Sequence, residues 1–315
     1  MENGIAVSVV CNAYNHEKYI AQTIESFVMQ KTNFKFEILM HDDASTDKTA
    51  DIIREYEAKY PELIKPIYQT ENQYSKRNGI IPKLQFGRAQ GKYIAFCEGD
   101  DYWTDPYKLQ KQFDAMEKNP SADLCAHSTT KLDAKTNTIL SPDIRPAKKN
   151  KIIKVEDVIL GGGGFVATNS LFFRAEINKN VPEFRKFLLL DYTLQIFASL
   201  RGGMVYLDEC MSVYRVMTGG SWTINVGLNL EKRAEHDAKI IRMLEILDEE
   251  TNYKYSKVIK KKILENRSGS VYRKVLRKEA LEKSDYEVIK KASLSYKIKI
   301  LLYLYLPNVM AKIRK

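Results

Sequence analysis

The chain has 315 residues, 44% of them hydrophobic and 29% charged, a balance that fits a soluble globular protein rather than a disordered or membrane-spanning one. No apolar run approaches the roughly 18 residues that cross a bilayer, and the start Met1-Glu2-Asn3-Gly4 lacks the basic and apolar stretches of a signal peptide, so the expectation is a cytoplasmic protein. The net charge of +10 is unevenly placed: residues 254–315 carry 18 basic against 5 acidic side chains, a net +13 that leaves about −3 for the rest.

Residues 5–10 form a near-continuous apolar strand that ends in the polar loop Cys11-Asn12-Ala13-Tyr14-Asn15-His16-Glu17, and Ile20, Ile24, Phe27 and Val28 then recur at helical spacing. Residues 36–40 repeat the pattern, ending in His41-Asp42-Asp43-Ala44-Ser45-Thr46-Asp47 before a helix over about 48–60. Two strand-loop-helix units in succession predict parallel strands joined by crossovers. A third strand is expected at 64–68, a polar loop at 69–78 carrying Lys76 and Arg77, and a helix at 82–90. The strand Tyr93–Cys97 then runs into Glu98-Gly99-Asp100-Asp101. Three carboxylates within four positions repel one another unless a hard divalent cation sits among them, and Mg²⁺ or Mn²⁺ with a diphosphate is the natural guest at the C-terminal edge of an open α/β sheet. On the same edge an exposed Tyr14 ring can stack on a base, and Asp42 or Asp43 can accept a pyrimidine N–H. Helix-start chemistry is the alternative for Asp42 and Asp43. The four cysteines, Cys11, Cys97, Cys125 and Cys210, have no CxxC spacing, which suits reduced thiols rather than zinc or disulfides.

The segments Val7 to Asn15, Glu37 to Asp47, Gly91 to Asp101 and Asp105-Pro106 together resemble the family 2 glycosyltransferases in order and spacing over about the first 225 residues. The resemblance implies the GT-A fold, a Rossmann-like, mostly parallel α/β sheet flanked by helices, and glycosyl transfer with inversion from a nucleotide diphosphate sugar. It implies a donor site of Asn12, Tyr14, Asp42, Asp43, Arg77, Asp100 and Arg215, with Tyr14 stacked on the base and Asp43 holding its N–H. Asp101, Asp100 and Glu98 are the implied metal ligands, although Glu98 stands where the family often has Asp.

The acceptor side is expected from the second half of this domain. Gly161-Gly162-Gly163-Gly164 precedes Thr168, Asn169 and an apolar strand at 171–173, reading either as a loop at a site or as a connector. Asp191 follows four apolar residues; it is either a helix N-cap or a carboxylate whose pKa is raised to suit a general base, and the resemblance favours the base. Trp103, Thr168, Asn169, Tyr192 and Trp222 are the expected acceptor contacts. Arg215, in Tyr214-Arg215, is expected on the donor diphosphate, with a structural salt bridge as the alternative. The domains are expected at 1–225, with donor and acceptor halves meeting near 105, and at 226–315, a basic helical region. The run Lys297-Ile-Lys-Ile-Leu-Leu-Tyr-Leu-Tyr305 suits either an anionic membrane interface or a helix packed on the domain. No nucleic-acid module is recognisable. The expected function is transfer from a nucleotide sugar, a UDP-sugar first among them, to a glycan or polyprenyl-linked acceptor in bacterial surface-polysaccharide synthesis. The rivals are a nucleotidyltransferase and a catalytically silent nucleotide-sugar-binding or membrane scaffold, and a homo-oligomer is left open.

Overall fold

The computed structural model describes residues 4–76, 79–218 and 229–305, so expectations placed on Arg77 and Trp222 lie outside the described residues. The chain divides into two compact units, residues 1–224 and 225–315.

The first unit is built on one mixed sheet. Its parallel part consists of β1 (Ile5–Ala13), β2 (Lys35–Asp42), β3 (Ile64–Tyr68) and β4 (Tyr93–Phe96), in the spatial order β3-β2-β1-β4. β1 and β2 are apolar without alternation because both faces of the sheet are covered. α1 (Ile20–Val28) buries Ile20, Ile24 and Phe27 on one stripe, and α2 (Thr49–Lys59) and α3 (Ile80–Gly87) complete the crossovers. Register brings Ala13 beside Asp42 and Val10 beside Phe96, so the loops after β1, β2 and β4 open on one edge.

Beyond β4 the sheet continues as β9 (Phe172–Arg174), β6 (Leu124–Asp133), β10 (Met204–Val216) and the two-residue β5 (Tyr102–Trp103). β9 runs antiparallel to both β4 and β6, while β6 and β10 are parallel. β6 extends to Asp133 and forms a hairpin with β7 (Thr138–Ile144), and β8 (Lys151–Ile153) pairs with β10. β5 pairs Trp103 with Ser212 and Tyr102 with Val213, which ties the acidic segment to β10. α4 (Lys108–Lys118), α5 (Val155–Gly161), α6 (Glu183–Phe187) and α7 (Asp191–Ser199) complete the unit.

Close backbone approach is settled at Gly91, just before β4. A Cβ there would stand 2.5 Å from the Ser8 amide nitrogen. The Gly91 amide instead donates to Ser8 Oγ at 2.9 Å, and that hydroxyl donates to Glu37 Oε1 at 2.7 Å, joining three strands through one buried polar group.

The second unit is helical among its described residues: α8 (Leu230–Glu250), α9 (Ser256–Leu276), α10 (Lys283–Lys291) and α11 (Leu294–Tyr305). Val271, Val275 and Ile300 form one small core cluster within it, with Tyr272, Val288, Ile289, Tyr296 and Tyr303 packed around them. No described helix is long and apolar enough to cross a membrane.

Candidate functional site

The edge formed by the ends of β1, β2 and β4 collects the predicted donor residues. Tyr14 presents its ring to solvent at 42% exposure, as a base-stacking residue must. Asp42 and Asp43 are both buried, but their oxygens are differently engaged. Asp43 accepts from the Gln73 and Tyr74 amides at 2.7 and 2.9 Å, so its carboxylate holds the 72–74 loop. Asp42 accepts from the Ser45 amide at 3.1 Å through one oxygen, while its Oδ1 is buried without a partner among the described residues. Of the pair, Asp42 therefore keeps the open acceptor. Helix-start chemistry falls to neither, because Asp47 Oδ1 accepts the Thr49 amide at 2.9 Å. Asn12 bonds Glu98 through its side chain, and its carbonyl accepts the Gly99 amide at 2.8 Å. Gly99 permits this closeness: a Cβ would lie 2.8 Å from His16 Nδ1 and 3.0 Å from Ala13 Cβ.

The three clustered carboxylates do different work. Glu98 is pushed up to about 8, first by burial and then by the charges of Asp100 and Asp191. Asp100 accepts from Thr218 Oγ1 at 2.8 Å through Oδ2 and has no partner for Oδ1 among the described residues. Asp101, an expected ligand, is engaged by protein donors. It is fully buried, Oδ1 accepts the Arg215 amide at 2.8 Å and Oδ2 accepts Asn169 Nδ2 at 3.1 Å, so both oxygens face protein donors. Burial and Asp100 push its pKa well up, and the Arg215 amide opposes them. Among the described residues no three His, Cys, Asp or Glu side chains converge as a ready metal cage. The donor set nonetheless fits Mg²⁺ or Mn²⁺, since such ions take one or two carboxylates and complete their shell with substrate phosphates and water. Asp100 with an open oxygen, beside a charge-crowded Glu98, is that partial set.

Arg215, expected on the donor diphosphate, is engaged within the protein. Its guanidinium donates to the Asp100 carbonyl at 2.5 Å and to Gln22 Oε1, and lies 4.9 and 4.5 Å from the Tyr19 and Tyr102 ring centroids. At 7% exposure it is a bolt beneath the acidic segment.

On the acceptor side, Asp191 is the first residue of α7, and the N-cap is Leu190. Thr168 Oγ1 donates to Asp191 Oδ2 at 2.8 Å, and the Tyr192 amide donates to Oδ1 at 2.7 Å. Burial raises the Asp191 pKa and these two bonds partly offset it. The glycine-rich loop stands against this carboxylate, since a Cβ on Gly163 would be 3.9 Å from Asp191 Oδ1. Three expected acceptor contacts are instead internal. Trp103 is 1% exposed, donates Nε1–H to the Asn169 carbonyl at 3.0 Å and packs on Phe27 with ring centroids 4.6 Å apart. Asn169 is consumed between Asp101, the Val213 carbonyl at 2.9 Å and Ser212 Oγ at 2.9 Å. Tyr192 donates its hydroxyl to the Ile159 carbonyl at 2.6 Å. Of the expected acceptor residues described, Thr168 alone reaches Asp191 by a side-chain hydrogen bond.

Several supporting residues escape a reading of motifs. Gln85 Nε2 donates to the Cys11 and Leu39 carbonyls at 3.2 and 3.0 Å, clamping the ends of β1 and β2. Arg185, buried and lowered to about 10 by desolvation, donates to the Leu190 carbonyl at 2.8 Å and Thr193 Oγ1 at 2.9 Å and faces Asp191 electrostatically. Lys108 is fully buried, donates to Gln112 Oε1 at 2.7 Å and lies 3.9 Å from the Trp103 ring centroid. His16 was legible from its place in the loop after β1; its Nδ1 is buried without a partner among the described residues.

Known proteins share this architecture. The S. aureus TarS 1–349 crystal structure in complex with UDP superimposes with a TM-score of 0.58 at 17% identity, over 95% of this chain and 79% of that one, which establishes the GT-A fold. An uncharacterised Mycobacterium tuberculosis protein is 33% identical over 217 residues, 69% of this chain and 60% of that one, so the chain spans less than two thirds of that relative. The Escherichia coli UDP-Glc:alpha-D-GlcNAc-diphosphoundecaprenol beta-1,3-glucosyltransferase WfaP is 37% identical over 111 residues, 35% of this chain and 41% of WfaP. The family model for glycosyl transferase family 2 matches residues 8–180, from within β1 through the acidic segment to the strand beside Thr168, and the chain belongs to that family.

Proposed function

We propose that the chain is an inverting, metal-dependent glycosyltransferase that moves a sugar from a nucleotide diphosphate sugar, a UDP-sugar, to a hydroxyl of a glycan or lipid-linked oligosaccharide in bacterial surface-polysaccharide synthesis. The observation that carries this reading is Asp191: a desolvated carboxylate held by Thr168 against the glycine-rich loop, close enough to the end of β4 for its charge to act on Glu98. The UDP and diphosphoundecaprenol compounds in the names of TarS and WfaP support the choice of donor and acceptor class.

In this reading Tyr14 stacks on the base and the open Oδ1 of Asp42 accepts its ring N–H. Asp100 and Glu98 hold the cation, and Asp101, Asn169 and Arg215 hold Asp100 in place from below. When bound, Mg²⁺ or Mn²⁺ neutralises the departing diphosphate. Asp191 takes the proton of the acceptor hydroxyl as its oxygen bonds the anomeric carbon, and the bond from that carbon to the diphosphate oxygen breaks with its electron pair. A raised pKa strengthens Asp191 as a base.

The test is thermal stabilisation by UDP, GDP, dTDP and CDP, each with and without Mn²⁺. A metal-dependent shift for UDP is expected, and it should survive in Asp191→Asn, which abolishes turnover. Absence of any shift, or full turnover by Asp191→Asn, overturns the reading.

A further inference from the structure

The helix α11 is apolar on two sides, and only one is used inside its unit. Tyr296, Ile300 and Tyr303 turn toward Val271 and Val275 of α9 and form the core there. Leu294, Ile298, Leu301, Leu302 and Tyr305 recur at i, i+4, i+7, i+8 and i+11 and therefore share the opposite face. All five are exposed, Leu294 at 72% and Tyr305 at 77%. A contiguous apolar face of this kind marks an interaction surface. Lys290, Lys291 and Lys299 are exposed nearby, and no acidic residue follows Glu287.

We propose that this outward face of α11 docks on an anionic phospholipid surface. An amphipathic helix whose apolar face is flanked by lysines gains from burying that face at the acyl boundary and from its attraction to anionic headgroups. A second copy of the chain is disfavoured as the occupant, because pairing two such faces brings the Lys290, Lys291 and Lys299 cations of both copies together. The inference concerns the second unit alone, and its assay contains no nucleotide sugar, so it can fail while the glycosyltransferase reading stands, and the reverse.

The experiment is co-sedimentation of the full chain with vesicles of phosphatidylcholine alone and of phosphatidylcholine mixed with phosphatidylglycerol, with gel filtration and light scattering alongside. Binding is expected to the mixed vesicles and to be weak on phosphatidylcholine. Ile298→Glu with Leu301→Glu should reduce binding by about 100-fold or more, because two buried aliphatic side chains are lost, with circular dichroism showing the helices retained. Lys290→Glu with Lys291→Glu, which leaves the apolar face whole, should lower the preference for phosphatidylglycerol about tenfold. Equal binding to both vesicle types, no binding, or binding unchanged in the Ile298/Leu301 variant overturns the proposal. So does a dimer that the same variant converts to monomer without any vesicle binding by the parent.

Discussion

Replacing Asp101 by Asn tests how the acidic segment is built. Both carboxylate oxygens accept N–H bonds in a fully buried setting, from the Arg215 amide at 2.8 Å and Asn169 Nδ2 at 3.1 Å. An amide offers one oxygen and one NH₂, so either rotamer sets a donor against a donor. The change loses one bond to a charged acceptor, about 1.5–3 kcal/mol, and leaves a buried N–H unsatisfied, about 1–3 kcal/mol. Relief of repulsion between Asp101 and Asp100 offsets part of this, giving a net loss of about 2–4 kcal/mol. For a unit of this size that lowers Tm by roughly 5–15 °C. Asp100→Asn is the control, because its oxygen can still accept from Thr218 Oγ1 and its stability should change by less than about 1 kcal/mol. Calorimetry in EDTA, followed by nucleotide titration with and without Mn²⁺, separates the two: Asp101→Asn melts early, and Asp100→Asn melts normally but loses the metal-dependent nucleotide shift. An Asp101→Asn protein with parental Tm and no metal response would refute the reasoning and make Asp101 a ligand.

Other expectations follow from the same geometry. Because burial raises Asp191, the acid limb of the pH–rate profile should lie above the ordinary carboxylate range of about 4; removing Thr168 Oγ1 by Thr168→Val should move that limb further up, and an unmoved limb would sink the assignment. The sign for stability is opposite: a carboxyl with a raised folded pKa favours the fold at low pH, and this contribution fades as pH climbs through its folded pKa. Lys108 is lowered to about 7 by burial, so the unfolded chain binds its proton more tightly and stability should rise between about pH 7 and 10. Lys108→Met should flatten that dependence in urea titrations across the range, and an unchanged slope would show Lys108 to be charged throughout. Gly91→Ala forces a Cβ to within 2.5 Å of the Ser8 amide nitrogen and should cost about 3 kcal/mol in denaturant midpoint analysis; a neutral result would mean that β1 and β4 can separate locally.

Part of the molecule is governed by local pattern. The unbroken apolar runs at β1, β2 and β4, each followed by a polar or acidic loop, dictate buried parallel strands whose C-terminal ends carry function, because such loops cannot be buried with the strands. The segments flanking Tyr14, Asp42 and Glu98 were legible for that reason, whereas pattern alone left Asp191 open between a helix cap and a base, and the family resemblance favoured the base. Which oxygen of which carboxylate meets a protein donor is set by contacts between distant segments. Asp101 and Asp43 resemble Asp100 and Asp42 in every local respect, yet the pairing of β5 with β10 brings the Arg215 amide and Asn169 onto Asp101, and the 72–74 loop brings two amides onto Asp43. The same long-range pairing turns Arg215 and Trp103 inward. Hydrogen-bond satisfaction is a property of neighbours far apart in the chain, and spacing along one strand carries no record of them.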